Sequence, residues 1–105
     1  MATLTATTKA GRILEIRALI DGRDDAVERA LVVVYGRQTA AEQASDSTSE
    51  LNGRGFSGVD AEFGSSLARQ VLAGRRLSPR QLKFGRRIAR KYARQLLETV
   101  EKTTA

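Results

Sequence analysis

The chain of 105 residues is long enough for one small domain with a modest core and too short for a large internal cavity. It contains neither Cys nor His, which excludes disulfides, the usual structural zinc sites and imidazole-based acid–base or nucleophile chemistry, so no metal or other cofactor is expected. The net charge of +6 is unevenly placed: residues 1–64 carry seven Lys/Arg against ten Asp/Glu, and residues 65–105 carry eleven against two. No apolar run approaches the roughly 20 residues of a membrane span, and Met1 to Lys9 lacks the apolar stretch of a signal peptide, which leads us to expect a cytoplasmic protein without membrane contact.

Residues 1–8, MATLTATT, read as a frayed terminus with Thr7 or Thr8 able to cap a first helix. From Lys9 to Ile20 the apolar positions suit that helix, with Ile13, Ile16 and Ile20 on one stripe, and Asp21-Gly22 ends it. Asp24 is a candidate N-cap for a second helix running to about Tyr35, with Asp25 and Glu28 near its positive end. Its centre, Ala30 to Tyr35, holds three consecutive valines that also suit a strand. Helix is favoured because no second strand-like segment exists to pair with it. Residues 9–36 thus read as a helical hairpin.

Residues 37–59 read as a loop, first polar (QTAAEQASDSTSE) and then glycine-rich (LNGRGFSGV). Gly53, Gly55 and Gly58 allow backbone angles that other residues resist, so an ordered turn is expected around Phe56. The Gly-x-Gly here follows no strand and does not complete a nucleotide-binding fingerprint. Asp60 is the expected N-cap of a third helix, Ala61 to Leu72, with Phe56 and Phe63 tying the glycine loop to the core. Gly74 supplies its C-terminal stop, and the short connection predicts a hairpin with the next helix.

That next helix is the best-marked element of the chain. Ser78 as N-cap, Pro79 at the first helical position and Gln81 three residues after the cap form a capping-box signature. Through Lys102, Leu82, Gly85, Ile88, Ala89, Tyr92, Ala93, Leu96 and Val100 gather on one face, and Lys83, Arg86, Arg87, Arg90, Lys91 and Arg94 on the other. No acidic residue occurs between Phe63 and Leu97, so this ridge is not neutralised from within its own stretch. Its like-charge i,i+4 pairs each cost about 0.2–0.5 kcal/mol, a cost that a polyanion relieves. The expected architecture is all-α: a compact bundle of three to four helices with a long central polar and glycine-rich loop, residues 60–102 forming the second hairpin.

Residues 38–96 resemble a family of small helical proteins and helicase-associated modules of phages, plasmids and bacteria. The resemblance is carried by Gln38-Thr39-Ala40 with Glu42-Gln43, by Asn52-Gly53-x-Gly55-Phe56 followed by Asp60-Ala61-x-Phe63, by Ser66-Leu67-Ala68, and by Leu77-Ser78-Pro79-x-Gln81 with Lys91-Tyr92 and Gln95-Leu96. The sequence departs from the family pattern at Arg54, where small or apolar residues are commoner. The resemblance implies a setting in the DNA metabolism of mobile elements, with Asn52, Gly53, Gly55, Phe56, Asp60 and Phe63 in structural roles.

The expected function is nucleic-acid binding through Arg75, Arg76, Arg80, Lys83, Arg86, Arg87, Arg90, Lys91 and Arg94, with DNA, single-stranded DNA included, favoured over RNA and the phosphate backbone as the main contact. Phe84 lies outside the apolar arc at the side bordering Lys91, where it either stacks on an exposed base or packs on a neighbouring helix. The alternative expectation is an adaptor or inhibitor whose basic face docks on an acidic groove of a larger replication, helicase-type or host-defence complex. Catalysis is not expected, since Asp21, Asp24, Asp25, Asp60 and Glu62 read more simply as caps or partners of helix dipoles. The valine-rich helix is the candidate surface for self-association if its apolar girth exceeds what one protomer covers.

Overall fold

The structure, a computed structural model, describes the backbone of residues 7–45, 56 and 58–104 and the side chains of residues 7–37, 56 and 60–100. Five helices follow one another: α1 (Lys9–Gly22), α2 (Asp24–Ser45), α3 (Gly58–Leu72), α4 (Pro79–Lys91) and α5 (Ala93–Thr104). Among the described residues there is no strand, and the valine run lies inside α2. The all-α expectation holds, with one helix more than anticipated.

Thr8 caps α1, its hydroxyl accepting the Gly11 N–H at 3.1 Å. Asp24 proves to be the first residue of α2 rather than its cap, so Asp24 and Asp25 lie in the first turn, where the helix dipole favours negative charge. Hydrogen bonds from the Arg23 guanidinium hold the Asp25 carboxyl below its usual range. α2 runs past the expected end near Tyr35 to Ser45. Ala, Gln and Glu in residues 38–45 are good helix formers, so intrinsic propensity carries the helix on where apolar periodicity gives no signal. The expected frayed terminus up to residue 6 and the turn at Asn52, Gly53 and Gly55, with Arg54, lie outside the described residues.

α3 begins at Gly58, so Asp60 sits within its first turn and is not its N-cap. At the other end Gly74 adopts φ +86°, a conformation that an L side chain resists. The Gly74 N–H donates to the Val71 carbonyl at 2.9 Å and the Arg75 N–H to the Gln70 carbonyl at 3.1 Å, the paired bonds of a Schellman stop. Both halves of the Ser78 capping box are present: the Ser78 N–H donates to the Gln81 amide oxygen at 2.9 Å, and the Gln81 N–H donates to the Ser78 hydroxyl at 3.2 Å. The helix expected to run unbroken to Lys102 stops at Tyr92. There the backbone turns to φ −105°, ψ 19° and the N–H bonds three residues back to the Ala89 carbonyl at 3.1 Å.

The core is drawn from every helix: Ile16 and Ile20 of α1, Val27, Ala30, Leu31 and Val34 of α2, Leu67 and Ala68 of α3, Ile88 and Ala89 of α4, and Ala93, Leu96 and Leu97 of α5 are buried. The α2 positions follow the i, i+3, i+4, i+7 spacing of one helix face. α2 and α4 each pack against all four other helices. They meet at Gly85, where a Cβ would lie 3.1 Å from the Leu31 side chain and 3.3 Å from Val27. A second close approach explains another glycine. The buried Phe56 ring lies over Gly64, where a Cβ would come within 2.8 Å of it, and meets the Tyr92 ring edge to face at 5.3 Å. Phe56 is thus the core anchor expected of it, whereas Phe63 is 44% exposed and is not.

In urea titrations we expect Gly64→Ala to lower stability by about 1–3 kcal/mol, because the Phe56 ring must move off its seat. Gly36→Ala, on the exposed face of α2 with nothing within 4 Å of the added methyl, should instead raise it by roughly 0.5–1 kcal/mol.

Candidate nucleic-acid interface

α4 is fixed at both ends by buried carboxylates. At its N-terminus Glu28 of α2 accepts the Leu77 N–H at 2.9 Å and pairs with Arg76 at 3.2 Å. The Gln70 and Gln81 side-chain amides exchange two hydrogen bonds, 3.0 and 2.9 Å, across the α3–α4 hairpin. At its C-terminus the Tyr92 hydroxyl donates to buried Asp60 at 2.9 Å, and Lys91 approaches the same carboxylate at 3.5 Å. Phe56, Asp60, Lys91 and Tyr92, all positions of the motif singled out in the sequence, therefore meet in space.

Held this way, α4 turns its cationic face outward beside α1. Arg17 and Asp21 of α1 and Lys83, Arg86, Arg87, Arg90 and Lys91 of α4 line one open groove. Six cations thus share one surface, where their potentials add, with Asp21, Asp24 and Asp60 pairing with three of them. Arg17 was not picked out by sequence reasoning. It sits on a different helix among mixed charges, and nothing in the local pattern of α1 marks it.

The cations are not equivalent. Arg86 is committed to the fold: its Nε donates to the Ile20 carbonyl at 2.8 Å, its Nη2 meets Asp24 at 2.7 Å, and the side chain is only 28% exposed. Arg90 reaches Asp21 at 3.5 Å and Lys91 reaches Asp60 at the same distance, but both cations are more than half exposed. The Arg90–Asp21 pair, exposed on both sides and this long, contributes roughly 0–1 kcal/mol, whereas the Asp60 carboxylate is buried and keeps its bond from Tyr92 if Lys91 swings away. Arg76 pairs with Glu28 yet keeps 76% of its side chain in solvent. Arg75, Arg80, Lys83, Arg87 and Arg94 have no ion-pair partner among the described residues. Arg94 lies on α5, beyond the break at Tyr92, and is not among the residues lining the groove.

Every buried side-chain nitrogen or oxygen among the described residues has a hydrogen-bond partner, so no unsatisfied polar group waits in the interior. The described acidic residues form no group of three that would hold a metal ion. No described helix is long and apolar enough to cross a membrane. The unspent chemistry of the described residues lies on the surface.

Stability measurements should separate the two kinds of cation. Lys83→Ala and Arg87→Ala are expected to shift unfolding free energy by no more than about 0.5 kcal/mol, whereas Arg86→Ala should cost about 1–3 kcal/mol through its lost bonds to Ile20 and Asp24. No protein-family model matches this chain, and neither does a curated protein or a solved structure.

Proposed function

We propose that this protein binds nucleic acid, DNA in the first instance, by laying the phosphate backbone along the outward face of α4 and the α1–α4 groove. The observation that carries the reading is the groove itself: six cations line it, three of them paired with Asp21, Asp24 and Asp60, and Arg17, Lys83 and Arg87 are unpaired among the described residues. Like-charged neighbours one turn apart, Lys83 with Arg87 and Arg87 with Lys91, lose about 0.2–0.5 kcal/mol per pair in the free protein. A row of phosphates removes that repulsion and releases its own counterions. The resemblance of residues 38–96 to helicase-associated modules supports the same setting, an accessory protein in the DNA metabolism of a mobile element.

Within this reading the roles differ by residue. Arg17, Lys83 and Arg87 make the primary phosphate contacts, with Arg90 and Lys91, each more than half exposed, recruited from their long pairs. Arg75, Arg76 and Arg80 extend the positive field around the start of α4. Arg86 keeps the groove in shape.

Binding of a labelled oligonucleotide should weaken steeply with salt. Three to six neutralised phosphates correspond to a log–log slope of about −2 to −4 on single strands. Arg17→Glu/Lys83→Glu/Arg87→Glu, whose parent residues hold no ion pair among the described residues, is expected to abolish binding while the far-ultraviolet circular dichroism stays unchanged. No binding by the unaltered protein at ~50 mM salt would overturn the reading and favour the docking of this face on an acidic protein groove.

A further inference from the structure

We propose that Phe63 and Phe84 form a base-stacking platform that makes the basic face selective for single-stranded nucleic acid over duplex; this rests on the nucleic-acid reading above. Phe63 of α3 and Phe84 of α4 meet edge to face with ring centroids 6.1 Å apart and planes at 85°, and each is 44% exposed. In such a pair each ring keeps at least one face that the other does not cover. The pair stands outside the packed interior of the hairpin, where Leu67, Gly85 and Ile88 are buried.

Its surroundings identify the ligand. Arg80 and Arg87 lie at i−4 and i+3 from Phe84, the positions that neighbour it on a helix surface, and neither has an ion-pair partner among the described residues. Two partly exposed aromatic rings flanked by guanidinium groups without ion-pair partners among the described residues match a polyanion that also offers flat apolar faces. A single strand does so with any base, because every base has a π-face. A duplex keeps its base faces inside the stack and presents only edges and phosphates, so it gains from the cations and not from the rings. The platform is also held in place: the Gln70–Gln81 amide pair and the Tyr92–Asp60 bond tie α3 to α4 on either side of it.

The test uses the full-length, unaltered protein and three labelled probes of equal length at ~50 mM salt: oligo(dT), the same backbone carrying abasic residues, and a blunt duplex. Fluorescence anisotropy should show oligo(dT) bound roughly tenfold more tightly than the abasic strand, and more tightly than the duplex. Phe84→Ala and Phe63→Ala should each weaken oligo(dT) binding severalfold and leave abasic and duplex binding within about twofold. Equal binding of oligo(dT) and the abasic strand would overturn the platform and leave the backbone reading standing. Absence of binding to all three probes would overturn both. The abasic comparison requires no variant, so its outcome does not depend on how well the alanine variants fold.

Discussion

The packing of α4 directly on α2 at Gly85 is the contact on which the remaining geometry depends. With Leu31 and Val27 side chains only 3.1 and 3.3 Å from where a Cβ would stand, the two helices approach more closely than most residues permit. That approach puts α4 in the middle of the molecule, touching α1, α2, α3 and α5 together. A helix with six cations would ordinarily be expected at the periphery. Here its apolar face is wedged among four neighbours, and the charged arc, with Phe84 at its edge, is left to solvent. The rigidity of the basic surface is therefore borrowed from the core, and the buried carboxylates of Glu28 and Asp60 fix the two ends of the same helix.

The acidic first half of the chain and the basic second half meet along one flank of α4. Asp24 and Asp21 reach Arg86 and Arg90, so part of the charge asymmetry visible in the sequence is resolved inside the molecule. What decides the character of the surface is how firmly each cation is held. A guanidinium that is mostly buried and also bonded to a carbonyl is structural, whereas a half-exposed ammonium 3.5 Å from its carboxylate is a loan. Sorting the ridge this way leaves a smaller and better-defined set of available cations than the sequence alone suggests, and adds Arg17 from α1.

Much of the scaffold was legible because its signals are local. Thr8, Ser78 with Gln81, and Gly74 announce helix ends through capping chemistry that acts within a few residues, and all three act as read. The apolar face of α4 follows from its period, and Gly85, Ile88, Ala89 and Tyr92 are buried accordingly. What escaped the sequence is set by tertiary partners. Asp60 resembles a cap by type and position, but its carboxylate serves a tyrosine and a lysine more than 30 residues away. Phe63 resembles a core anchor by spacing, yet Phe56 fills that place from a non-helical position over Gly64. The extra helix boundary at Tyr92 falls where an uninterrupted pattern of helix formers gives no warning. It coincides with the residue held by both Asp60 and Phe56.

The break at Tyr92 also sets a length. α4 has 13 residues, and at 1.5 Å per residue its charged row extends about 20 Å before the helix is interrupted. A polyanion tracking that row meets positive charge over a handful of phosphates and then runs off its end. On the nucleic-acid reading proposed above, one copy would have a short footprint, and coverage of a long strand would depend on how many copies sit side by side.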